Sequence, residues 1–397
     1  MEAILTYIKD NPLLLSILVP GAAGFLTLII PSKVKAVKEV ITLLSGIFAG
    51  IAALIIFTCS CDIPLLYSVR FIDLNVISLD LSLEALKSSS IFYMISVVFF
   101  FLIMIFSLTY EKKERSNIFY GFLKIGLAAC SGIFFSGHII FLLIFWEIST
   151  LSLFFLTTVS NSVSTGDDSK KGAAKTFAIL GFTDGLFLLG LLLLFVSTGK
   201  FQINSMLYAS TDWKTVTAFA CIFIAAVSKA GAFPLHTWIP EAGKSTSAAI
   251  MALLPGSVDK LLGVFLLYKL TTTIVIPGEK IGIIIRIIGS VTIIAAVMMA
   301  LVQSNIKKLL SYCAISQVGY IVLGIGMLNP IGMVGAIFHM LNHSIYKSLL
   351  FLTSGNVEKV AGTDDLEKIG GLARILPVTF IATVIATLSI SGFPPFN

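Results

Sequence analysis

The sequence predicts an all-α polytopic membrane protein, and three observations carry that expectation. Of its 397 residues, 57% are hydrophobic and only 12% are charged, against about 25% charged in soluble domains. The mean hydropathy is +1.01. Uncharged apolar runs recur from end to end, each near the ~20 residues that carry a helix across hydrocarbon. A membrane β-barrel would show segments of about ten residues alternating in polarity, and the chain reads as having none.

Taken in order, the runs and their punctuation place about a dozen helices, at 12–30, 39–60, 88–110, 116–135, 139–160, 174–198, 215–240, 246–270, 281–303, 308–328, 331–354 and 375–397. The first run, Leu13 to Ile30, is too long and wrongly flanked for a cleaved signal and reads as a retained helix. The one long connection, near 61–87, carries Asp62, Arg70, Asp73, Asp80 and Glu84 and reads as a loop at the membrane surface. In three parts, 1–115 holds the first three helices, 116–270 a first five-helix repeat, and 281–397 a second, incomplete repeat. The chain stops at Asn397, just past Pro394-Pro395 and inside its last apolar run, which reads as a chain cut short.

Loop cations set the expected orientation. Odd-numbered connections hold Lys33, Lys35 and Lys38, then Lys112, Lys113 and Arg115, Lys170 and Lys171, Lys307 and Lys308, and Lys359 and Lys368. The even ones are poorer, with Arg70, Lys87, Lys200, Lys214 and Lys280. The positive-inside rule therefore puts the odd connections in the cytoplasm and the N-terminus outside, in a cell membrane. The net charge of +6 is scattered rather than clustered, which argues against a nucleic-acid role. Five cysteines include no CxxC pair, so iron–sulfur ligation by this chain is not expected and the cysteines read as small apolar filler.

Two helices read as broken. The seventh contains Ser228-Lys229-Ala230-Gly231-Ala232-Phe233-Pro234, and the twelfth ends Gly392-Phe393-Pro394-Pro395. Proline removes a backbone donor and glycine loosens the chain. Phe233-Pro234 and Phe393-Pro394 lie five helices apart, and an odd number of helices per repeat inverts the second unit, as in many secondary transporters. Two Phe-Pro pairs that merely kink helices are the plain alternative.

Charged groups at the middle of a spanning helix cost about 2.5–3.5 kcal/mol each on insertion scales, so each calls for a reason. Glu147 stands in the fifth helix, Asp184 in the sixth, Lys229 at the seventh helix's break, and Asp259 and Lys260 in the eighth. His339, His343 and Lys347 follow at i, i+4 and i+8 of the eleventh and share roughly one face. Glu147 could simply hold helices together by pairing with a lysine. Asp259 could neutralise Lys260 through a third group, and Asp184, between Gly181 and Gly185, fits close helix packing equally well. Lys124 and Arg286 lie near helix ends and read as snorkelling. The histidine pair has zinc-like spacing, but Met340 breaks the HExxH pattern, no third ligand is evident, and Lys347 on that face opposes a cation. A proton relay suits them better, with polar packing as the alternative. Burial opposes an ammonium and a nearby carboxylate supports it, so a carboxylate such as Glu147 moving relative to Lys229 would switch that lysine between holding and releasing a proton.

The residues Phe145-Trp146-Glu147, Ser228-Lys229 through Phe233-Pro234-Leu235-His236-Thr237-Trp238, Ala314-Ile315-Ser316-Gln317-Val318-Gly319-Tyr320, His339 through Leu352, and Gly392 through Asn397 are similar to those of the antiporter-like family. That family comprises the large proton-pumping subunits of respiratory complex I, Mrp-type cation/proton antiporters and membrane-bound nickel–iron hydrogenases. Leu254 through Phe265 most resembles the energy-converting hydrogenase branch. The resemblance implies fourteen transmembrane helices, about twelve of them present, in two inverted five-helix repeats. It implies Glu147 and Lys229 as the coupling pair, Lys260 as the eighth-helix lysine, and a further key lysine or glutamate beyond the point where the chain stops. It also implies a proton- or sodium-translocating subunit with no catalytic centre, metal or cofactor of its own. Iron–sulfur clusters, and a nickel–iron centre in the hydrogenase case, would sit in peripheral redox subunits, beside other integral membrane subunits. An Mrp-type antiporter subunit and a structural anchor with a vestigial channel are the competing readings.

Overall fold

The computed structural model describes residues 11–31, 33–60, 64–73, 78–110, 116–159, 168–203, 208–209 and 212–396. Of the residues named above, Asp62, Lys112, Lys113, Arg115 and Asn397 lie outside the described residues, as does one of the five cysteines, Cys61. Among those described, ten helical segments are long and apolar enough to cross a membrane. The chain is a multi-pass, predominantly α-helical membrane protein. It divides into two compact units, Met1–Leu156 with Leu191–Leu207, and Thr157–Gly190 with Tyr208–Asn397.

The first unit contains α1 (Pro12–Ile29), α2 (Lys35–Cys59), α3 (Lys87–Tyr110), α4 (Ser116–Phe135) and nearly all of α5 (Ile139–Val159). Helix α4 is its centre, being the most deeply buried of these spans. Glycines let its neighbours approach: a Cβ at Gly121 would collide with the Leu28 side chain, and one at Gly132 with the Phe145 ring. Ser16 and Ser131 hydrogen-bond across the α1–α4 contact.

The connection near 61–87 is no irregular loop. Strands β1 (Leu65–Asp73) and β2 (Ser78–Ala85) pair as an antiparallel hairpin, with Leu65 opposite Ala85 and Asp73 opposite Ser78. The reason is visible along β2, where Leu79, Leu81, Leu83 and Ala85 alternate with Ser78, Asp80, Ser82 and Glu84, the period of a half-buried strand. Leu83 and Ala85 are buried. The hairpin packs against the tight α4–α5 turn, where the Gly137 amide donates to the Ser82 carbonyl at 2.9 Å and Ser82 Oγ donates to Gln202 Oε1 at 3.0 Å.

Helix α6 (Asp168–Thr198) runs through both units. The second unit continues with α7 (Trp213–Ala230), α8 (Trp238–Ser245), α9 (Ala248–Leu253), α10 (Val258–Lys269), α11 (Glu279–Leu301), α12 (Ile306–Gly326), α13 (Pro330–Ala361) and α14 (Pro377–Ile390). At 32 residues, α13 is the longest, about 48 Å at 1.5 Å per residue. Its internal histidines, asparagines and lysine are on buried or half-buried positions. Helix α14 ends at Ile390, and Gly392 through Pro395 form an exposed turn, with Gly392 at φ 69°.

The break of the seventh helix is as expected, between α7 and α8. A third interruption was not expected: the eighth helix is also split, at Leu254-Pro255-Gly256-Ser257, between α9 and α10. Pro255 cannot donate to the Met251 carbonyl; the Gly256 amide does so instead at 3.1 Å, and Ser257 Oγ donates to the Ala252 carbonyl thus left over at 2.9 Å.

Candidate ion-translocation site

The second unit places Lys229, Asp259 and Lys260 at the ends of half-helices. Helix α7 ends with Lys229 in its last turn, and Gly231 follows in the left-handed conformation at φ 86°. An L side chain there would be strained. The Gly231 amide donates to the Val227 and Ser228 carbonyls at 2.9 and 3.1 Å. Trp238 Nε1, on the far side of the break, also donates to the Ser228 carbonyl at 3.0 Å. The Phe233 amide, just before Pro234, donates to Thr292 Oγ1 of α11 at 3.1 Å. The interruption is thus satisfied by hydrogen bonds, as irregular backbone at membrane depth must be.

Asp259 lies in the first turn of α10, which follows the second break. An anion is favoured at a helix N-terminus and a cation at a C-terminus, so Asp259 and Lys229 each sit where the backbone dipoles suit them. They face one another at 3.8 Å, with side chains 7% and 1% exposed. Asp259 Oδ2 and the neighbouring Ser228 Oγ have no protein hydrogen-bond partner. Asp184 of α6, also buried, is near enough to act electrostatically on Asp259. Close packing positions the pair: a Cβ on Gly263 of α10 would stand 2.7 Å from the Ala226 carbonyl oxygen of α7 and nearer still to the Ala230 amide nitrogen.

The next residue carries the line onward. Lys260 Nζ donates to the Ala314 carbonyl of α12 at 2.8 Å and lies 3.0 Å from His343 Nε2 of α13. His343 and Lys347 are fully buried, one turn apart. His343 Nδ1 and Lys347 Nζ have no protein hydrogen-bond partner. His339, a turn in the other direction, is half-buried and packs its ring near Tyr320 at 5.6 Å between centroids. Tyr346, beside Lys347, donates to Gln317 Oε1 at 3.1 Å. The order is therefore Asp184, Asp259 and Lys229, then Lys260, His343 and Lys347, with His339 flanking.

Of the residues singled out from sequence, the structure brings Lys229, Asp259, Lys260, His343 and Lys347 into one sequence of buried groups and places Asp184 and His339 beside it. Glu147 stands on α5 in the first unit, half-buried, next to the fully buried Trp146. The carboxylate that the second unit itself offers Lys229 is Asp259. Gly231 and Pro234 form the first break; Gly392 and Pro394 lie in the exposed turn after α14.

Three buried lysines escaped the sequence reading. Lys307, counted there among loop cations, is fully buried and meets Glu358 of α13 at 3.1 Å and Asp364 at 3.9 Å. It also donates to the Thr246 carbonyl at 3.1 Å. Lys38, likewise counted in a loop, is fully buried in α2, and Lys124 is only 2% exposed in α4. Lys124 therefore does not snorkel. Glu358 was legible in principle: it follows Lys347 by eleven residues, about three helical turns, and so continues the same face.

Broken helices arranged around buried lysines and histidines define a class of polytopic membrane protein. The family described as "NADH:quinone oxidoreductase/Mrp antiporter, TM" matches residues 136–397, and the chain belongs to it. It is 32% identical over 315 residues to the Na(+)/H(+) antiporter subunit A1 of Staphylococcus epidermidis and 31% identical over 315 residues to that of Staphylococcus aureus. Each match takes 75% of this chain but 39% of the relative, so the chain spans about two fifths of those proteins. Among solved structures it is similar to a chain of the Mrp complex from Dietzia sp. DQ12-45-1b, with a TM-score of 0.89 at 20% identity, covering 98% of this chain and 72% of that one. A chain of the membrane-bound sulfane sulfur reductase, an archaeal respiratory membrane complex, gives 0.83 at 22% identity, covering 96% and 78%. At such identities the likeness is one of fold.

Proposed function

We propose that this chain is a proton- or sodium-translocating subunit of a multi-subunit complex in the cell membrane. The observation that carries the reading is the buried sequence Lys229–Asp259, Lys260–His343 and Lys347. In it, Lys229, Asp259 and Lys260 stand at the ends of broken helices and meet His343 and Lys347 in the middle of α13, with hydrogen-bonding capacity unused at Asp259 Oδ2, His343 Nδ1 and Lys347 Nζ. Ionisable groups inside a membrane are costly and mark ion pathways and proton relays. Lys229 holds or gives up a proton according to Asp259, which faces it, and Asp184, which acts on Asp259. Lys260, His343 and Lys347 pass the proton on, and His339 serves the end of the relay. Cytoplasmic lysine-rich connections and an outside N-terminus complete the orientation.

The relatives named Na(+)/H(+) antiporter subunit A1 favour an Mrp-type host in which ion gradients alone drive exchange. The likeness to a respiratory sulfane sulfur reductase chain supports the redox-driven alternative, in which partner subunits carry iron–sulfur clusters or a nickel–iron centre and this chain carries no cofactor. One experiment addresses both. In inside-out vesicles energised to hold a proton gradient, sodium addition is expected to collapse the gradient only when this chain is present. The complex purified through a tag on this chain is then assayed for iron and nickel. Sodium-driven collapse without metal establishes the Mrp-type host, and stoichiometric iron the redox-driven one. A complex that moves neither ion under either driving force overturns the proposal and leaves the structural anchor.

A further inference from the structure

The first unit holds a second buried lysine system that the pathway above does not use, and it precedes residue 136, where the family match begins. On α2, Lys38, Thr42 and Ser45 succeed one another at i, i+4 and i+7 and are 0%, 2% and 4% exposed. They form one face, about 10 Å deep along the helix axis. Opposite them on α4 stand Ser116, in its first turn, and Lys124. Helices α2 and α4 start at the same side of their unit, because the single span α3 and its hairpin separate them in the chain. Lys38 Nζ donates to Ser116 Oγ at 2.7 Å and to the Pro31 carbonyl at 3.3 Å. One turn deeper, Lys124 Nζ donates to Thr42 Oγ1 at 2.6 Å, and Thr42 Oγ1 donates in turn to the Lys38 carbonyl at 2.6 Å.

Beside Thr42 a cavity of about 20 Å³ is lined by Thr42, Ser45 and Lys124 and by Phe100, Phe101 and Met104 of α3. About 10–15 Å³ is enough for one water. Ser45 Oγ, buried at its edge, has no protein hydrogen-bond partner, and a buried hydroxyl ordinarily finds one. No carboxylate is paired with Lys124 among the described contacts. The charged side chains on the elements around α4 are Lys35, Lys38 and Glu39 of α2, Asp80 and Glu84 of β2, Lys87 of α3 and Glu147 of α5, with Tyr93 also on α3; among the described residues α1 has none. A buried ammonium held only by a hydroxyl and a water-sized space is a poor structural bolt. It is a good proton store, since lysine changes protonation state readily when buried.

We propose that Lys124 is a proton-loading site at the inner end of a polar inlet, entered past Lys38 and Ser116 and served by Thr42 and a water beside Ser45. On release, a Nζ–H bond breaks, its electron pair stays on nitrogen, and the water takes the proton and hands it outward. The Thr42 hydroxyl then rotates to donate to the freed lone pair. Loading runs the same steps in reverse.

The test is ¹⁵N solid-state NMR of lysine side chains in the full chain in bilayers, with Lys124→Met assigning the resonance. The expected result is a Lys124 signal that converts between ammonium and amine as pH is varied. Its proton exchange should slow at least about tenfold in Thr42→Val, one step's worth of barrier. A signal that stays in one form over the whole pH range in which the protein remains folded overturns the inference. So does unchanged exchange in Thr42→Val. This readout does not require the chain to pump, so the inference and the pathway through Lys229 and Lys260 stand or fall separately.

Discussion

Lys229→Ala is expected to reduce ion translocation in proteoliposomes at least tenfold, about 1.4 kcal/mol of lost driving interaction or more. Removing the ammonium strips Asp259 of its only cation within 4 Å among the described residues. Breaking a buried pair by deleting one partner typically costs about 3–5 kcal/mol, so the variant should also accumulate less well in the membrane. The double variant Lys229→Ala/Asp259→Asn removes both charges of this pair. It should recover most of the lost abundance and none of the lost transport. That separation distinguishes a transport pair from a structural one. If abundance and transport return together in the double variant, the pair is merely structural.

The second large effect concerns stability. Lys307→Met is expected to destabilise the protein by about 3 kcal/mol, because Glu358 and Asp364 then lose the buried ammonium that lies within 4 Å of both. Glu358 is fully buried and Asp364 nearly so. The ammonium also ties the start of α12 to the Thr246 carbonyl between α8 and α9 and to the end of α13. Backbone bonds reinforce the junction: the Ile306 amide donates to the Asp364 carbonyl at 2.9 Å, and the Leu366 amide to the Ser304 carbonyl at 2.8 Å. Thermal unfolding in detergent should show a lower midpoint for Lys307→Met, largely restored in Lys307→Met/Glu358→Gln. An unchanged midpoint in the single variant would mean that the cluster contributes nothing to stability.

The helices were legible because membrane spans announce themselves by length and lack of charge. The expected 116–135 coincides with α4, and most other boundaries fall within a few residues. The hairpin was not, because its eight-residue alternation from Ser78 to Ala85 carries Asp80 and Glu84 and so looks like a polar connection. The split of the eighth helix was half-legible: Pro255-Gly256 is a plain break signal, but the surrounding apolar residues hide it in a hydropathy profile. The line of titratable groups was found because each member interrupts an apolar run. Its pairing was not, since thirty residues separate Lys229 from Asp259 and eighty-three separate Lys260 from His343, and only packing joins them. Lys38 and Lys307 were misjudged for one reason. Counting cations at helix ends assigns them to water, whereas the buried Ser116 and Glu358 draw them inward.

Proton passage through Lys260 is tested most directly by measuring translocation in Lys260→Met and Lys260→Arg side by side. Methionine keeps the volume and removes the titrating group. Arginine keeps a charge that does not come off in a protein. Both variants are expected to lose transport, with the complex still assembled, because a relay needs a group that gives its proton back. Wild-type translocation by Lys260→Met in an intact complex would contradict the account.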